Sequence, residues 1–576
     1  MKRSNHKSAL SPRLRPRFGE KMGTLITYAT MFGTWPTLSE RDERLRRLNR
    51  TDVVLRLAWS NAYIEGWKRI RSNEADGQIR SAWFPFWNGA FRDWSNRYGE
   101  GFLFARQTIL WLMKRAFASC SPEGERVLTP ETLHTFGEAC LIANDLSAFE
   151  SPRKLPGDLD VAANLLPNME YASFEDYDRE ISRTLYLLTD LAPNAVGTRL
   201  PEFARQIREL LGYEVTEYCD LVLATAIKPV AYRADVNQYQ LQALHPEHFL
   251  TTAIPPETAE RFLQSIGEDE QGFAERVATG QVQPFDFTIF RETPLLLHEA
   301  AFVTLDSLFT LDKAGKSLFW TALKSAPTPE ERNQLLIDWG ELFETYVNEV
   351  LVRSIPERCR VLTNVRFEDG AQAFDAAILD GSSLIVFEHK ASTIKNAVRY
   401  ADDPVKFGEV LESRFVTGEG TSRKGVRQLW NGLNRFTQGE ALYGSGREVR
   451  IQEVGEILPV LVHLDNALRT VGIPHYMAER LRAFGRFKRH TVAPLVLLPI
   501  SELEDLEGHL PERGLALFLK SSLEELRRNR AAVFLTSHLP ILRGSQRRIG
   551  PTLQRFDRYF DEMMARLFPD LDRSGT

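Results

Sequence analysis

The sequence predicts an α/β protein in which a mixed β-sheet flanked by helices follows a large, mostly α-helical N-terminal region. Three observations lead to this prediction. From about residue 19 to residue 280, apolar residues recur at helical spacing between prolines. Short apolar runs bounded by turn residues begin near residue 359. Beyond residue 390 such runs alternate with helical segments, which is typical of a sheet with helices on its faces.

Composition limits the class of protein. The chain has 576 residues, with 43% hydrophobic and 26% charged residues, as in ordinary globular proteins. Its longest apolar runs, such as 457–464, are too short to span a bilayer, and no segment resembles a secretory signal, so we expect no membrane contact. The four cysteines have no C-x-x-C spacing, which argues against a disulfide framework or a zinc ribbon and fits a cytoplasmic location.

We divide the N-terminal half into a flexible basic arm (1–18), a helical region (19–280) and a small β-containing lead-in (281–329). In the helical region, Thr51 is the expected N-cap of a helix extending to Ser72. Ten aromatic residues lie between residues 83 and 111. With the arginines among them they could stack on unpaired bases, but rings at helical spacing more often form a core, which is the interpretation we prefer.

The lead-in has β-like runs at Phe285–Phe290 and Ala301–Leu305. A helix should then begin at Pro329, with Thr328 as its N-cap, and run to about Ser354. This helix opens the main α/β domain, residues 330–510. A helical extension (511–576) follows that domain and is expected to pack against its core.

Residues 373–392 carry the most informative pattern in the chain. They predict two β-strands around an Asp-Gly turn, with Asp375, Glu388 and Lys390 set into otherwise apolar runs. A lone acid in a buried strand costs several kcal/mol unless a partner compensates it. Two acids with a lysine therefore indicate either a divalent cation or a tight ion network.

Hairpin geometry decides whether the two acids meet, because side chains on a strand alternate between faces. A four-residue loop over 380–383 pairs Leu379 with Leu384 and places Asp375 opposite Glu388. A two-residue loop at Asp380-Gly381 shifts the pairing by two and keeps both acids on one face. A three-residue loop would separate them. Opposed Cβ atoms lie about 5 Å apart, close enough for two carboxylates to hold one hard cation.

These residues resemble the PD-(D/E)xK nuclease superfamily, with Asp375 as its first acid and Glu388-His389-Lys390 as its E-x-K element. Upstream, the helix segment 340–347 is similar to the G-x-x-F-E-x-x-V helix that precedes such cores, and it supplies Glu344. Downstream, 425–429 is similar to the glutamine-bearing helix of RecB-like members, with Gln428. Phe374 stands where the pattern often has proline. The resemblance covers about residues 330–510 and implies a restriction-endonuclease-like fold.

The resemblance also implies a role for each residue. Asp375 and Glu388, joined by the backbone carbonyl of His389, would bind Mg²⁺ or Mn²⁺, and Lys390 would orient the attacking water or stabilise charge on the phosphate. Glu344 would bind a second ion or a metal-bound water; the alternative is a solvated helix acid. Gln428, with Lys424, would position the substrate backbone, although a glutamine on a helix needs no special role.

We therefore expect a cytoplasmic, metal-dependent nuclease acting on DNA, of a kind that often serves bacterial restriction or antiviral defence. The helical N-terminal region would recruit substrate, a protein partner or a second copy of the chain. Two alternatives remain, an RNA-directed nuclease and a non-catalytic nucleic-acid-binding or scaffold protein that retains the fold. The net charge of -5 does not favour nucleic-acid binding, but local basic clusters, such as Arg527 to Arg530, could still contact phosphates.

Overall fold

The computed structural model describes residues 24–65, 72–147, 174–231, 243–246, 249, 254–279, 286–315, 317–400, 404–418, 425–485, 487, 491–528, 534, 539–542 and 548–567. The described residues form two compact units, one within Met1–Ala148 and the other within Phe149–Ala234 and Tyr239–Thr576. Residues 174–279 thus belong to the unit that contains the main sheet, whereas the sequence suggested one helical region over 19–280. The predicted basic arm lies outside the described residues.

The first unit is helical and has an aromatic core. Its elements are β1 (Thr24–Leu25), α1 (Tyr28–Phe32), α2 (Leu38–Arg47), α3 (Arg50–Glu65), α4 (Ser72–Trp83), α5 (Asn88–Tyr98), β2 (Gly101–Phe102), α6 (Arg106–Ser119) and α7 (Pro130–Ser147). Strands β1 and β2 pair in parallel. Most of the rings between residues 83 and 111 are buried, with Phe86 and Tyr98 as exposed exceptions. The preferred interpretation of these aromatics as core residues is confirmed.

The second unit begins with helices and a small sheet. Its first elements are α8 (Phe174–Leu185), which continues as a π-helical turn (Tyr186–Leu191), then α9 (Leu200–Leu211), α10 (Val215–Ala231), α11 (Pro256–Ile266), β3 (Gly267–Asp269), α12 (Glu270–Thr279), α13 (Thr288–Glu292), β4 (Leu295–His298), β5 (Ala301–Thr304), α14 (Ser307–Asp312) and α15 (Ser317–Ser325). The strand order is β3-β4-β5, with β4 and β5 antiparallel.

The main sheet follows a long helix. The elements that build it are α16 (Pro329–Ser354), β6 (Arg360–Arg366), β7 (Gln372–Asp380), β8 (Ser383–Lys390), β9 (Leu442–Gly444), β10 (Arg447–Val449), β11 (Glu456–His463), β12 (Thr491–Val492) and β13 (Val496–Pro499). Strands β6, β7 and β8 form an antiparallel meander, and β11 pairs with β8 in parallel. The order is β10-β9-β6-β7-β8-β11-β12, with β13 also paired to β11. The predicted mixed sheet is therefore present.

Helices cover both faces of this sheet. They are α16 together with α17 (Asn396–Arg399), α18 (Pro404–Leu411), which continues as a π-helical turn (Glu412–Val416), α19 (Val426–Thr437), α20 (Ile473–Ala483), α21 (Ile500–Leu506), α22 (Leu510–Arg513), α23 (Leu515–Arg528) and α24 (Pro551–Leu567). One apolar core holds Ile385 and Phe387 of β8 with α16 and the C-terminal helices, and the other holds Leu384 and Val386 with α19 and α20. This alternation follows from the two-residue period of a strand.

Local sequence signals explain where α16 starts. The hydroxyl of Thr328 accepts a hydrogen bond from the backbone N–H of Glu331, and the carboxylate of Glu331 accepts one from the backbone N–H of Thr328. Pro329 occupies the first turn. The helix ends at Ser354, as predicted. Within the described residues, no helix is long and apolar enough to cross a membrane.

Two local predictions were wrong. Phe285 lies outside the described residues, and the rest of the strand predicted over 285–290 is replaced from Thr288 on by helix α13. Helix α3 begins at Arg50 and takes its cap from Asn49, whose Oδ1 accepts the N–H of Asp52 at 3.0 Å, so Thr51 is not the cap.

Candidate active site

The hairpin brings the two predicted strand acids opposite each other. Strands β7 and β8 pair Asp380 with Ser383 and continue to Ala376 and Phe387, so the tight turn is Gly381-Ser382. Gly381 has φ 62°, a left-handed conformation that glycine adopts without strain. One further step along the ladder sets Asp375 against Glu388. This register is the one deduced for a four-residue loop, although the turn itself is shorter.

Lys390 completes a cluster on one face of the sheet. It lies two residues after Glu388 and therefore points to the same side. Its Nζ lies 2.5 Å from Glu388 Oε1, and the Glu388 side chain is only 1% exposed. The Lys390 side chain is 13% exposed, so the ion pair is almost completely removed from bulk solvent. The three side chains that the sequence singled out are thus adjacent.

Asp375 is held by two hydrogen bonds. Its Oδ2 accepts the backbone N–H of His389 at 2.7 Å, and its Oδ1 accepts the side-chain amide of Gln372 at 2.9 Å. The first bond ties the end of β8 to β7 at the place where the acids meet. Because both oxygens have partners, the carboxylate has a fixed orientation.

The cluster has more acidic groups than its single lysine can neutralise. Burial, followed by repulsion from Asp375, raises the pKa of Glu388 to about 8, although Lys390 opposes the shift. Burial and then repulsion from Asp375 also raise the pKa of Glu344 to about 7. Burial tends to lower the pKa of Lys390, but attraction to Glu388, Asp375 and Glu344 raises it overall, so the ammonium stays charged. Glu344 on α16 is therefore electrostatically part of the site.

The donor set fits a hard divalent cation. Asp375, Glu388 and Glu344 supply carboxylate oxygens, which Mg²⁺ and Mn²⁺ prefer. Glu388 Oε2 is buried and has no hydrogen-bond partner among the described residues. A buried oxygen of this kind is costly unless a ligand or water satisfies it.

No cluster of three or more His, Cys, Asp or Glu side chains in the described part of the chain is arranged to hold a metal ion. The predicted ligands, Asp375, Glu388 and Glu344 with the backbone carbonyl of His389, therefore do not form such a cluster in their present arrangement. Metal binding therefore stays a prediction.

Helix α19 borders the acids, and two glycines allow it to approach. The N–H of Gly425, just before the helix, lies 3.3 Å from Glu388 Oε1. Gly425 has φ 65°, and a Cβ there would lie 2.0 Å from the carbonyl oxygen of Phe415. At Gly432 a Cβ would lie 2.6 Å from the carbonyl oxygen of Ala373 on β7. Both positions therefore require glycine.

Gln428 lies in the first turn of α19 and is half-buried. It makes no side-chain hydrogen bond with another described residue, so its predicted contact with the substrate backbone stays open. Lys424, its predicted companion, is outside the described residues.

Two features of the site were missed at the sequence level. The imidazole of His389 is 7% exposed, and neither ring nitrogen has a partner among the described residues. Burial lowers its pKa to about 4, so the ring is neutral at physiological pH. Sequence reasoning assigned only its backbone carbonyl. The other feature is Arg427, which no motif marked and which lies beside Gln428.

Two titratable groups outside the cluster have structural partners. Asp220 forms a two-bond ion pair with Arg566, its Oδ1 lying 2.9 Å from Nη2. His463 is buried, and its Nδ1 bonds the carbonyl oxygen of Asp465 at 2.9 Å, while its Nε2 has no partner among the described residues. Burial lowers the pKa of His463 to about 4.

Comparison with known proteins adds no relative from which a function could be transferred. No protein-family model, no curated protein and no solved structure matches the chain. A functional assignment must therefore rest on the site itself, where two strand acids, a lysine and a helix acid share a buried corner of a mixed sheet.

Proposed function

We propose that the protein is a divalent-metal-dependent nuclease of the PD-(D/E)xK type that hydrolyses phosphodiester bonds of DNA. One observation carries the proposal. Asp375, Glu388 and Lys390 lie together on one face of two central strands, almost completely buried, with an excess of acid that a cation would neutralise. A structural ion network would pair its acids with an equal number of bases.

The order of elements supports the same proposal. Helix α16 is followed by the meander β6-β7-β8, then by α19 and by β11, which pairs with β8. This is the order that the resemblance implies for a restriction-endonuclease-like core. The acids lie on β7 and β8, two central strands of the mixed sheet. The order alone would not establish an activity, because folds host many functions.

Each residue has a chemical role in this proposal. Asp375 and Glu388, with the carbonyl of His389, would hold Mg²⁺ or Mn²⁺, which would polarise a phosphoryl oxygen and acidify a bound water. Lys390 keeps its proton and can donate a hydrogen bond to the attacking water or to the phosphate oxygen that gains charge. Glu344, whose pKa is about 7, can accept a proton from water near neutral pH.

The cellular setting is part of the proposal. Such an enzyme would work in the cytoplasm, in restriction or antiviral defence, and the N-terminal helical unit would recruit DNA, a protein partner or a second copy of the chain.

The direct test is incubation of the purified protein with plasmid, linear and single-stranded DNA and with RNA, with and without Mg²⁺ or Mn²⁺. We expect cleavage of DNA only with the ion, and its loss in Lys390→Ala and in Asp375→Asn. Lys520→Ala is the matched control, since Lys520 also pairs with a carboxylate at the far end of the same sheet, Glu456 on β11. Its activity should equal that of the parent.

The outcomes distinguish the alternatives. Cleavage that needs no metal and survives both site substitutions would move the chemistry elsewhere. Binding of nucleic acid without cleavage under any condition would favour the non-catalytic alternative. Cleavage of RNA alone would keep the mechanism and change the substrate.

A further inference from the structure

Arg427 lies at the edge of the candidate active site. It is in the first turn of α19, two residues after Gly425, whose N–H approaches Glu388 Oε1 at 3.3 Å. Two residues span at most about 7 Å of backbone, so the side chain of Arg427 starts within reach of a group bound at the acids.

Two aromatic rings hold its guanidinium. The Arg427 Cζ lies 4.6 Å from the centre of the Phe484 ring and 5.3 Å from that of Trp430. These two rings lie 6.2 Å apart and contact each other. Stacking on rings orients a guanidinium without using its N–H groups.

The donors of Arg427 are unused within the described structure. Arg427 is half-buried and makes no ion pair and no side-chain hydrogen bond with another described residue. A guanidinium carries five N–H donors in a planar fork that matches phosphate oxygens. An oriented cation with free donors, next to a cluster of acids, is suited to an anionic ligand.

A second arginine on the same helix shows the difference. Arg435 also stacks on a ring, with its Cζ 4.0 Å from the centre of Phe367. Its guanidinium, however, is occupied by Glu440 and by Asp369, the latter at 2.8 Å. On the neighbouring helix α20, Arg480 pairs with Glu412 in the same manner. Among the described residues, Arg427 is therefore distinguished by having no carboxylate partner.

We infer that Arg427, oriented by Trp430 and Phe484, binds a backbone phosphate of the nucleic-acid strand that enters the site. This inference rests on the proposed nuclease function and names one of its substrate contacts. Because the contact is with phosphate, it contributes affinity without sequence preference. It also explains how a chain of net charge -5 can hold a polyanion beside three acids.

The test measures binding separately from cleavage. In an Asp375→Asn background, the affinity for a fluorescent DNA duplex is measured by anisotropy between about 50 and 300 mM salt. Arg427→Gln should reduce the slope of log K against log salt by about 1, the loss of one phosphate contact. Arg427→Lys keeps the charge and should keep most of the slope. Arg435→Gln, the matched control, should leave it unchanged.

A second readout uses the active protein. Arg427→Gln should raise KM with little change in kcat, because a phosphate contact made equally in the ground state and the transition state contributes uniform binding. Thermal unfolding of each variant checks that the fold is kept, and Arg427→Lys tests the charge if the glutamine variant does not fold.

Three outcomes would overturn the inference. An unchanged salt slope and KM in Arg427→Gln, with cleavage still dependent on Lys390, would refute the contact and leave the nuclease function intact. An equal loss in Arg435→Gln would show a general effect of charge. If the parent binds neither DNA nor RNA, the inference and the proposed function fail together.

Discussion

Substitution of Glu344 by glutamine should stabilise the metal-free protein and weaken its response to metal. Glu344 is half-buried on α16, and burial followed by repulsion from Asp375 raises its pKa to about 7. The folded protein therefore holds this proton up to higher pH than the unfolded chain does. Between pH values near 4.5 and 7, stability must fall as the pH rises, because the folded state binds more protons.

The size of the effect follows from the shift. A difference of one pKa unit corresponds to about 1.4 kcal/mol, so ionised Glu344, whose pKa rises from 4.5 to about 7, costs the folded state at most about 3.5 kcal/mol at pH 8. Partial exposure to solvent reduces this, and we expect Glu344→Gln to gain about 1 to 2 kcal/mol there. The gain should shrink as the pH falls through 7 and vanish below about 4.5. For a unit of this size, the gain expected at pH 8 corresponds to a rise in Tm of about 2 °C.

The assay is thermal unfolding at several pH values, with and without Mg²⁺ or Mn²⁺. Metal should raise the Tm of the parent more than that of Glu344→Gln, because an ion bound only to the folded state stabilises it. Glu330→Gln, at an exposed position in the first turn of the same helix, is the control and should change stability by less than about 0.5 kcal/mol. A Glu344→Gln variant that is destabilised at pH 8 without metal would refute the reasoning that these acids repel each other.

Two further predictions concern the framework of the site. Gly432→Ala should lower the free energy of unfolding by about 1 to 3 kcal/mol, because the new Cβ would lie 2.6 Å from both the Ala373 carbonyl oxygen and the Phe374 ring. The control is Gly340→Ala on α16, where nothing lies within 4 Å of the added Cβ, and it should be neutral or stabilising in thermal unfolding. Equal losses in the two variants would contradict this account. Arg183→Met should lower the free energy of unfolding, measured with denaturant, by about 3 to 5 kcal/mol, because it leaves Glu504 buried without its cation. An unchanged free energy of unfolding would show that Glu504 is protonated or solvated.

The local sequence was enough to predict the hairpin and the long helix. The period of two over 373–390 fixes which side chains share a face, so Asp375 and Glu388 could be placed together for a loop of two or four residues. The turn at Gly381-Ser382 in the structure then selects the register that sets them opposite each other. In α16, Thr328, Pro329 and Glu331 specify the start of the helix within four positions of the sequence. Such features depend on neighbours in sequence.

Features that depend on distant contacts could not be predicted. Arg427 is distinguished by its stacking on Phe484 and by having no carboxylate partner in the described part of the chain, and both depend on how α19 and α20 pack. The division into two units was missed because residues 174–231 have the same helical pattern as those before them, while their apolar faces pack against the C-terminal helices. Pattern alone does not say which helix packs on which core.

The ion pair between Arg183 and Glu504 has a consequence for synthesis of the chain. The two residues are 321 positions apart, and both are fully covered in the finished unit. At a translation rate of about 5 to 20 residues per second, the arginine waits about 15 to 65 s before its carboxylate partner is made. During that interval α8 cannot reach its final environment. Ribosome-bound chains should therefore expose this helix to chaperones and proteases until Glu504 has been synthesised.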